Sequence, residues 1–254
     1  MLYSPYALKI LSIAEDAGEI IMPYYQDVID VMRKEDDSPV TAADIAANHY
    51  ILEKLQALTP DIPVISEEKE CDPLRIDYPL FWCVDPLDGT KSFILKKGDF
   101  TVNIALIENG TPIGGAVVVP AMKISYYVGE DGVAYRKEGS GSAHKIKTRD
   151  VPAEGVTVVA SRSHADEQTM AYIETLPKVA DKVSVASSVK FCMIAEGKAD
   201  VYPRFGPTCI WDTAAGHAVL MAAGGQVFHA QTHYPLTYSG LQLLNPFFIA
   251  IGYK

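Results

Sequence analysis

Apolar side chains recur at helical spacing near the start of the chain, at Leu8, Leu11, Ala14, Ile21 and Tyr24, and predict an amphipathic helix over residues 5 to 25. A second helix is predicted after Thr41, through AADIAANHYILEKLQAL, with Pro60 ending it. The pattern then shifts to runs rich in β-branched and aromatic residues: PVIS at 63 to 66, LFWCV at 80 to 84, TVNIALIEN at 101 to 109, TPIGGAVVVP at 111 to 120 and KISYYVG at 123 to 129. Glu108-Asn109-Gly110 reads as a hairpin turn, so part of this sheet is antiparallel. Residues 130 to 150, rich in Gly, Ser and Lys, read as a surface hairpin and linker. Beyond them shorter strands (VTVVAS, KVSVAS, ADVYPR) alternate with helical stretches (ADEQTMAYIETL, SVKFCMIAEG, WDTAAGHAVLMAAGG), which predicts an α/β-layered second half. The expected architecture is α+β, with an N-terminal lobe over residues 1–150 joined to a smaller α/β lobe over 151–254.

Composition narrows this picture. A chain of 254 residues with 48% hydrophobic content can bury a full core, as one large domain or two tightly joined lobes. The net charge of -10 argues against a nucleic-acid polymer or an anionic membrane as partner, and an anionic substrate would need local cations. Cys71, Cys83, Cys192 and Cys209 form no close pair and no zinc-type spacing, which suits reduced thiols in a reducing cytoplasm. The N-terminal helix carries Glu15, Asp16 and Glu19 and lacks a basic leader, and no run of about eighteen apolar residues occurs. A soluble, cytoplasmic protein with no transmembrane segment and no obligatory protein partner is expected.

Candidate chemistry centres on FWCVDPLDGTK at 81 to 91. A β-run delivers Asp85, Pro86 turns the chain, and Asp88 follows three residues on; Gly89 permits close approach of the backbone to a ligand. Thr90 stands where a helix N-cap belongs, ahead of a short helix KSFILKK, so free N–H groups would sit beside the carboxylates. Such a site fits a metal-bridged phosphate, although Pro, Asp and Gly are equally the residues of an ordinary turn. Other acids stand at comparable places: Asp44 at a helix start, Glu67 and Glu68 after a strand, and Asp212 at a further helix start. Each alone reads as a cap or a solvated acid, yet convergence on one cleft would make an oxygen-only ligand set suited to Mg²⁺. In the second half Arg162 and His164 in SRSH, Ser187, Ser188 and Lys190 in SSVK, and Arg204 in YPRFG stand near strand ends or helix starts; Arg162, Lys190 and Arg204 read either as surface or ion-pair residues or as cations for a second phosphate, and His164 as a helix N-terminal residue or a substrate contact.

SPVTAAD, ISEE, WCVDPLDGTKSF and WDTAAGHAV together resemble the inositol monophosphatase superfamily of Mg²⁺-dependent, Li⁺-sensitive phosphomonoesterases, from end to end of the chain. SPVTAADIAA, FTVNIAL, SRSHAD, KFCMIAEGKADVYPRFGPT and IWDTAAGHAV are similar to its bacterial CysQ branch, the 3'(2'),5'-bisphosphate nucleotidases. The resemblance implies a layered α-β-α-β-α fold. It implies two or three Mg²⁺ ions on Glu67, Asp85, the main-chain carbonyl of Leu87, Asp88 and Asp212, with Asp44 and Thr90 polarising the attacking water and Glu68 outside the ligand set. Gly89, Thr90, Arg162, His164, Ser187, Lys190, Arg204 and Asp212 would contact the substrate, 3'-phosphoadenosine 5'-phosphate, a by-product of sulfate assimilation. An inositol monophosphatase or a sugar bisphosphatase is the alternative on the same metals, and a non-catalytic regulatory protein a more distant one. The family also implies weak peripheral attachment to the inner membrane in some members, for which this sequence carries no anchor.

Overall fold

The computed structural model describes residues 5–27, 31–33, 39–69, 78–161, 167–238 and 242–253. Five layers stack in the order α-β-α-β-α. The first holds α1 (Ala7–Gln26) and α2 (Ala42–Leu58). On α2 the fully buried Ala43, Ala47, Ile51 and Leu55 recur every fourth residue, a stripe narrow enough for the helix to lie flat on the sheet. Before it β1 (Val31–Arg33) and β2 (Pro39–Thr41) form a small antiparallel ribbon.

The second layer is a seven-stranded sheet in sequence order: β3 (Val64–Ser66), β4 (Leu80–Asp88), β5 (Thr101–Glu108), β6 (Thr111–Val119), β7 (Ile124–Val128), β8 (Ala134–Glu138) and β9 (His144–Lys145). Only β3 and β4 are parallel. The central strands are apolar on both faces because both faces are covered: Trp82, Val84, Ile104, Leu106 and Val118 point to α1 and α2, while Phe81, Cys83, Ala105, Ile107 and Val117 point to the middle helices. At the β5–β6 turn Asn109 and Gly110 both adopt positive φ (49° and 77°), the geometry a two-residue hairpin requires.

The middle layer is α5 (Val189–Ala195) and α6 (Ile210–Ala222), the fourth a five-stranded sheet in the order β11-β10-β12-β14-β13, and the fifth α4 (Glu167–Thr175). Strands β10 (Val156–Ala160), β11 (Val179–Ser184) and β12 (Val201–Arg204) are parallel, with β14 (Phe248–Ile251) antiparallel to β12 and to β13 (Gln226–His229). Helix α6 lies unusually close to the first sheet: a Cβ on Gly115 of β6 would meet the Ala215 carbonyl at 3.1 Å.

Two sequence expectations change here. Residues 130 to 150 are more than a surface hairpin and linker, since β8 and β9 complete the first sheet, with Ala134 and Ile146 in the central core. Strands β1, β2, β13 and β14 were not among the expected elements; the first two are three-residue pieces whose pairing is tertiary.

Candidate active site

The end of β4 is where the sheet stops being regular. Its pairing with β5 runs without interruption to Asp85↔Asn103 and resumes only at Asp88↔Thr101, because Pro86 has no N–H for the ladder. The excursion takes Pro86 and Leu87 out of the ladder between the paired Asp85 and Asp88, and the Leu87 N–H donates to Asp85 Oδ1 at 3.0 Å. Gly89, at φ 91°, then reverses the chain into the short helix α3 (Thr90–Ile94). Gly89 is therefore the N-cap and Thr90 the first helical residue, so the helix begins one position earlier than expected. The left-handed turn takes the cap from the side chain and frees the Thr90 hydroxyl, which faces Asp44 Oδ1 and the Leu87 carbonyl, each at 3.4 Å.

Asp44 and Asp212 arrive by a shared local device. Each is the third residue of its helix and closes a capping box: Asp44 Oδ2 accepts from Thr41 N (2.8 Å) and Oγ1 (2.6 Å), and Asp212 Oδ2 accepts from Cys209 N (2.7 Å). Asp88 Oδ2 accepts from Ser188 N at 2.8 Å and from Asn103 Nδ2 at 3.3 Å. Four carboxylates from β4, α2 and α6 thus each have one oxygen held by a main-chain N–H. Oxygens of Asp85, Asp88 and Asp212 lie within 4.8 Å of one another. Glu67, delivered by the end of β3 with its N–H on the Val84 carbonyl, borders the same cavity as Asp88 and Asp212.

So many buried acids resist ionisation together. Burial, then the charges of Glu67, Asp88 and Asp212, holds the Asp85 carboxyl well above its usual range. Burial pushes Asp212 up to about 8, reinforced by Asp88 and Glu67. Asp88 is pushed up to about 6, burial being partly offset by Lys190. Asp44 is also raised, by burial first. Asp85 Oδ2 is buried and has no hydrogen-bond partner among the described residues. An all-oxygen set with surplus negative charge and a buried acceptor left over fits a divalent cation of the Mg²⁺ type.

Beside the carboxylates opens a cavity of about 300 Å³. Its lining also includes two cations that are themselves buried, Lys190 (5% exposed) and Arg204 (8%). Lys190 Nζ donates to the Ser187 carbonyl at 2.6 Å and lies 5.2 Å from the centre of the Tyr202 ring. Burial lowers its pKa to about 8, against the opposing pull of Asp88. Arg204 donates through Nη2 to the Pro207 carbonyl (2.9 Å), while its Nε has no partner among the described residues. Ser187 also lines the cavity, at φ 51°, with Oγ donating to the Asp99 carbonyl.

Of the residues expected at the site, Asp44, Glu67, Asp85, Leu87, Asp88, Gly89, Thr90, Ser187, Lys190, Arg204 and Asp212 lie at or beside this cavity; Arg162 and His164 lie outside the described residues. Lys91, Ser161, Tyr202 and Thr208 line it without having been singled out, and Asn103 supports it from behind. Tyr202 was detectable, because it stands two residues before Arg204 and so shares its face of β12. His217 is packed, fully buried with Nδ1 3.1 Å from the Tyr238 hydroxyl.

Residues 5–246 match the inositol monophosphatase family model. The 3'(2'),5'-bisphosphate nucleotidase CysQ of Salmonella typhimurium is 50% identical over 225 residues, covering 86% of this chain and 88% of its own. The protein of that name from Escherichia coli K12 is 49% identical over 247 residues, covering 94% and 97%. Among solved structures, CysQ from Bacteroides thetaiotaomicron, described as a bacterial member of the inositol monophosphatase family, superposes with a TM-score of 0.85 at 39% identity over 97% of both chains. Inositol monophosphatase from Anabaena, at 22% identity and a TM-score of 0.76 over 98% of this chain and 90% of its own, shares the fold.

Proposed function

The chain belongs to the inositol monophosphatase family, and from that premise we propose that it is a Mg²⁺-dependent, Li⁺-inhibited phosphomonoesterase that hydrolyses 3'-phosphoadenosine 5'-phosphate to AMP and phosphate. Its place would be the disposal of that by-product in sulfate assimilation, in the cytoplasm. No helix among the described residues is long and apolar enough to cross a membrane. The observation that carries the reading is the presence of convergent carboxylates and of buried Lys190 and Arg204 around one cavity.

On this reading Glu67, Asp85, the Leu87 carbonyl, Asp88 and Asp212 hold the cations. When bound, these supply Lewis-acid stabilisation of the phosphoryl group and its leaving oxygen and make water more acidic. Thr90 Oγ1, with Asp44 Oδ1 beside it at 3.4 Å, orients the attacking water, and Asp44 receives its proton. Water oxygen bonds to phosphorus as the P–O3' ester bond breaks; the departing 3' oxygen takes a proton from a solvent water to become a hydroxyl, and Asp44 returns its proton to solvent, so the net reaction consumes one water. Gly89 and Thr90 main-chain N–H groups contact the phosphoryl oxygens. Lys190 and Arg204, with Ser187, receive the 5'-phosphate; a charge-assisted contact there satisfies the buried Arg204 Nε, which has no partner among the described residues. Arg162 and His164 complete the nucleotide contacts.

An inositol monophosphate would use the same carboxylates, but a neutral polyol ring has no need of two buried cations. Phosphate release is measured from 3'-phosphoadenosine 5'-phosphate and from inositol 1-phosphate, each with Mg²⁺, with EDTA, and with Mg²⁺ plus Li⁺. Fast, Mg²⁺-dependent, Li⁺-inhibited release from the nucleotide is expected. Release mainly from the inositol ester would retain the metal chemistry and overturn the roles given to Lys190 and Arg204.

A further inference from the structure

Asp88 and Asp212 come from elements with different packing partners. Asp88 ends a strand of the first sheet, and Asp212 stands in the first turn of α6. Their relative position therefore depends on whatever bridges the end of β4 to the start of α6, and Ser188 does so. It is 1% exposed, its N–H donates to Asp88 Oδ2 at 2.8 Å, and its Oγ donates to the main-chain carbonyl of Asp212 at 2.9 Å. The N–H, together with Asn103 Nδ2, occupies Oδ2 of Asp88 and so fixes the rotation of that carboxylate. The hydroxyl bond holds the backbone of α6 where Asp212 reaches the same cluster.

We propose that Ser188 is a positioning residue for the metal centre, spanning the two ligand-bearing elements and setting the separation of Asp88 and Asp212. Supporting groups of this kind control metal affinity by orienting the ligands, with losses of about 10- to 100-fold when they are removed. The hydroxyl is the part specific to serine, because an alanine keeps the N–H. The proposal rests on the reading of Asp88 and Asp212 as metal ligands.

The test is Mn²⁺ binding to the full chain without substrate, followed by electron paramagnetic resonance, for wild type, S188A and S188C, with thermal midpoints in EDTA alongside. About a tenfold weaker Mn²⁺ Kd is expected for S188A, with S188C intermediate because a thiol donates only weakly. A wild-type Kd in S188A overturns the proposal, even if its midpoint in EDTA falls, since that would be a packing role alone. Should S188A fail to fold, S188C decides by the same comparison: a weakened Kd supports the proposal and a wild-type Kd overturns it. A wild-type protein that binds no Mn²⁺ overturns the metal-centre reading beneath it, and this proposal with it.

Discussion

Asp44, Asp85, Asp88 and Asp212 are each held on one oxygen by a main-chain N–H, so their orientation is set before any ligand arrives. The consequence is mutual repulsion, and it gives a signed pH prediction. Asp212, at about 8, and Asp85, well above the usual range, hold protons in the folded protein that the unfolded chain has already released. Where the folded state binds more protons, stability falls as pH rises, and this contribution is lost on passing through about 8. His217, whose pKa burial lowers from 6.5 to about 3, acts in the opposite direction: it destabilises the fold as pH drops below 6.5 and is silent above that. In EDTA, therefore, stability should fall between pH 6.5 and 8, by about 1.4 kcal/mol per pH unit for each proton so held. Saturating Mg²⁺ should abolish the fall, because a bound cation favours the ionised carboxylates. Thermal midpoints across that window, with and without Mg²⁺, check both parts.

At the scale of elements the site depends on how closely α5, α6 and β6 approach. Small residues make this possible: Gly115 lies under Ala215, and a Cβ on Gly216 would come within 2.6 Å of the Phe191 ring and 2.8 Å of Phe191 Cβ. Since part of that clash is with atoms next to the α5 backbone, a rotamer change cannot relieve it. G216A should destabilise the protein by about 1–3 kcal/mol, read by urea unfolding, and should also raise KM because Phe191 lines the cavity. Unchanged stability would mean that α5 can move away from α6 at little cost.

At the scale of the molecule, the expected boundary near residue 150 falls where one sheet gives way to the other, between Lys145 and Val156. The central core nevertheless crosses it, joining Phe81, Ile107 and Val117 to Phe191, Leu220 and Phe248. A shared core of this size predicts cooperative unfolding. Far-UV circular dichroism and fluorescence from Trp82 and Trp211, one in each half, should give superimposable urea transitions. Two separate midpoints would make 1–150 and 151–254 independent folding units.

Much of this was legible in the chain because it is local. Strand alternation, the Asn109-Gly110 turn, the cap at Thr41 and the DPLDGT excursion all act between residues a few positions apart, where sterics and hydrogen bonding are readable from residue type. The three-residue strands β1 and β2 and the edge strand β9 were not, because so short a run takes its conformation from its neighbour. Likewise the acids Asp44, Glu67 and Asp212 were visible as strand-end or helix-start residues, but the 4.8 Å cluster of Asp85, Asp88 and Asp212 is a distance between separate elements. So is the bridge through Ser188, and so is the burial of Lys190 and Arg204. Residue types and their local spacing determine which groups are available for chemistry; the packing of α6 between two sheets decides which of them meet.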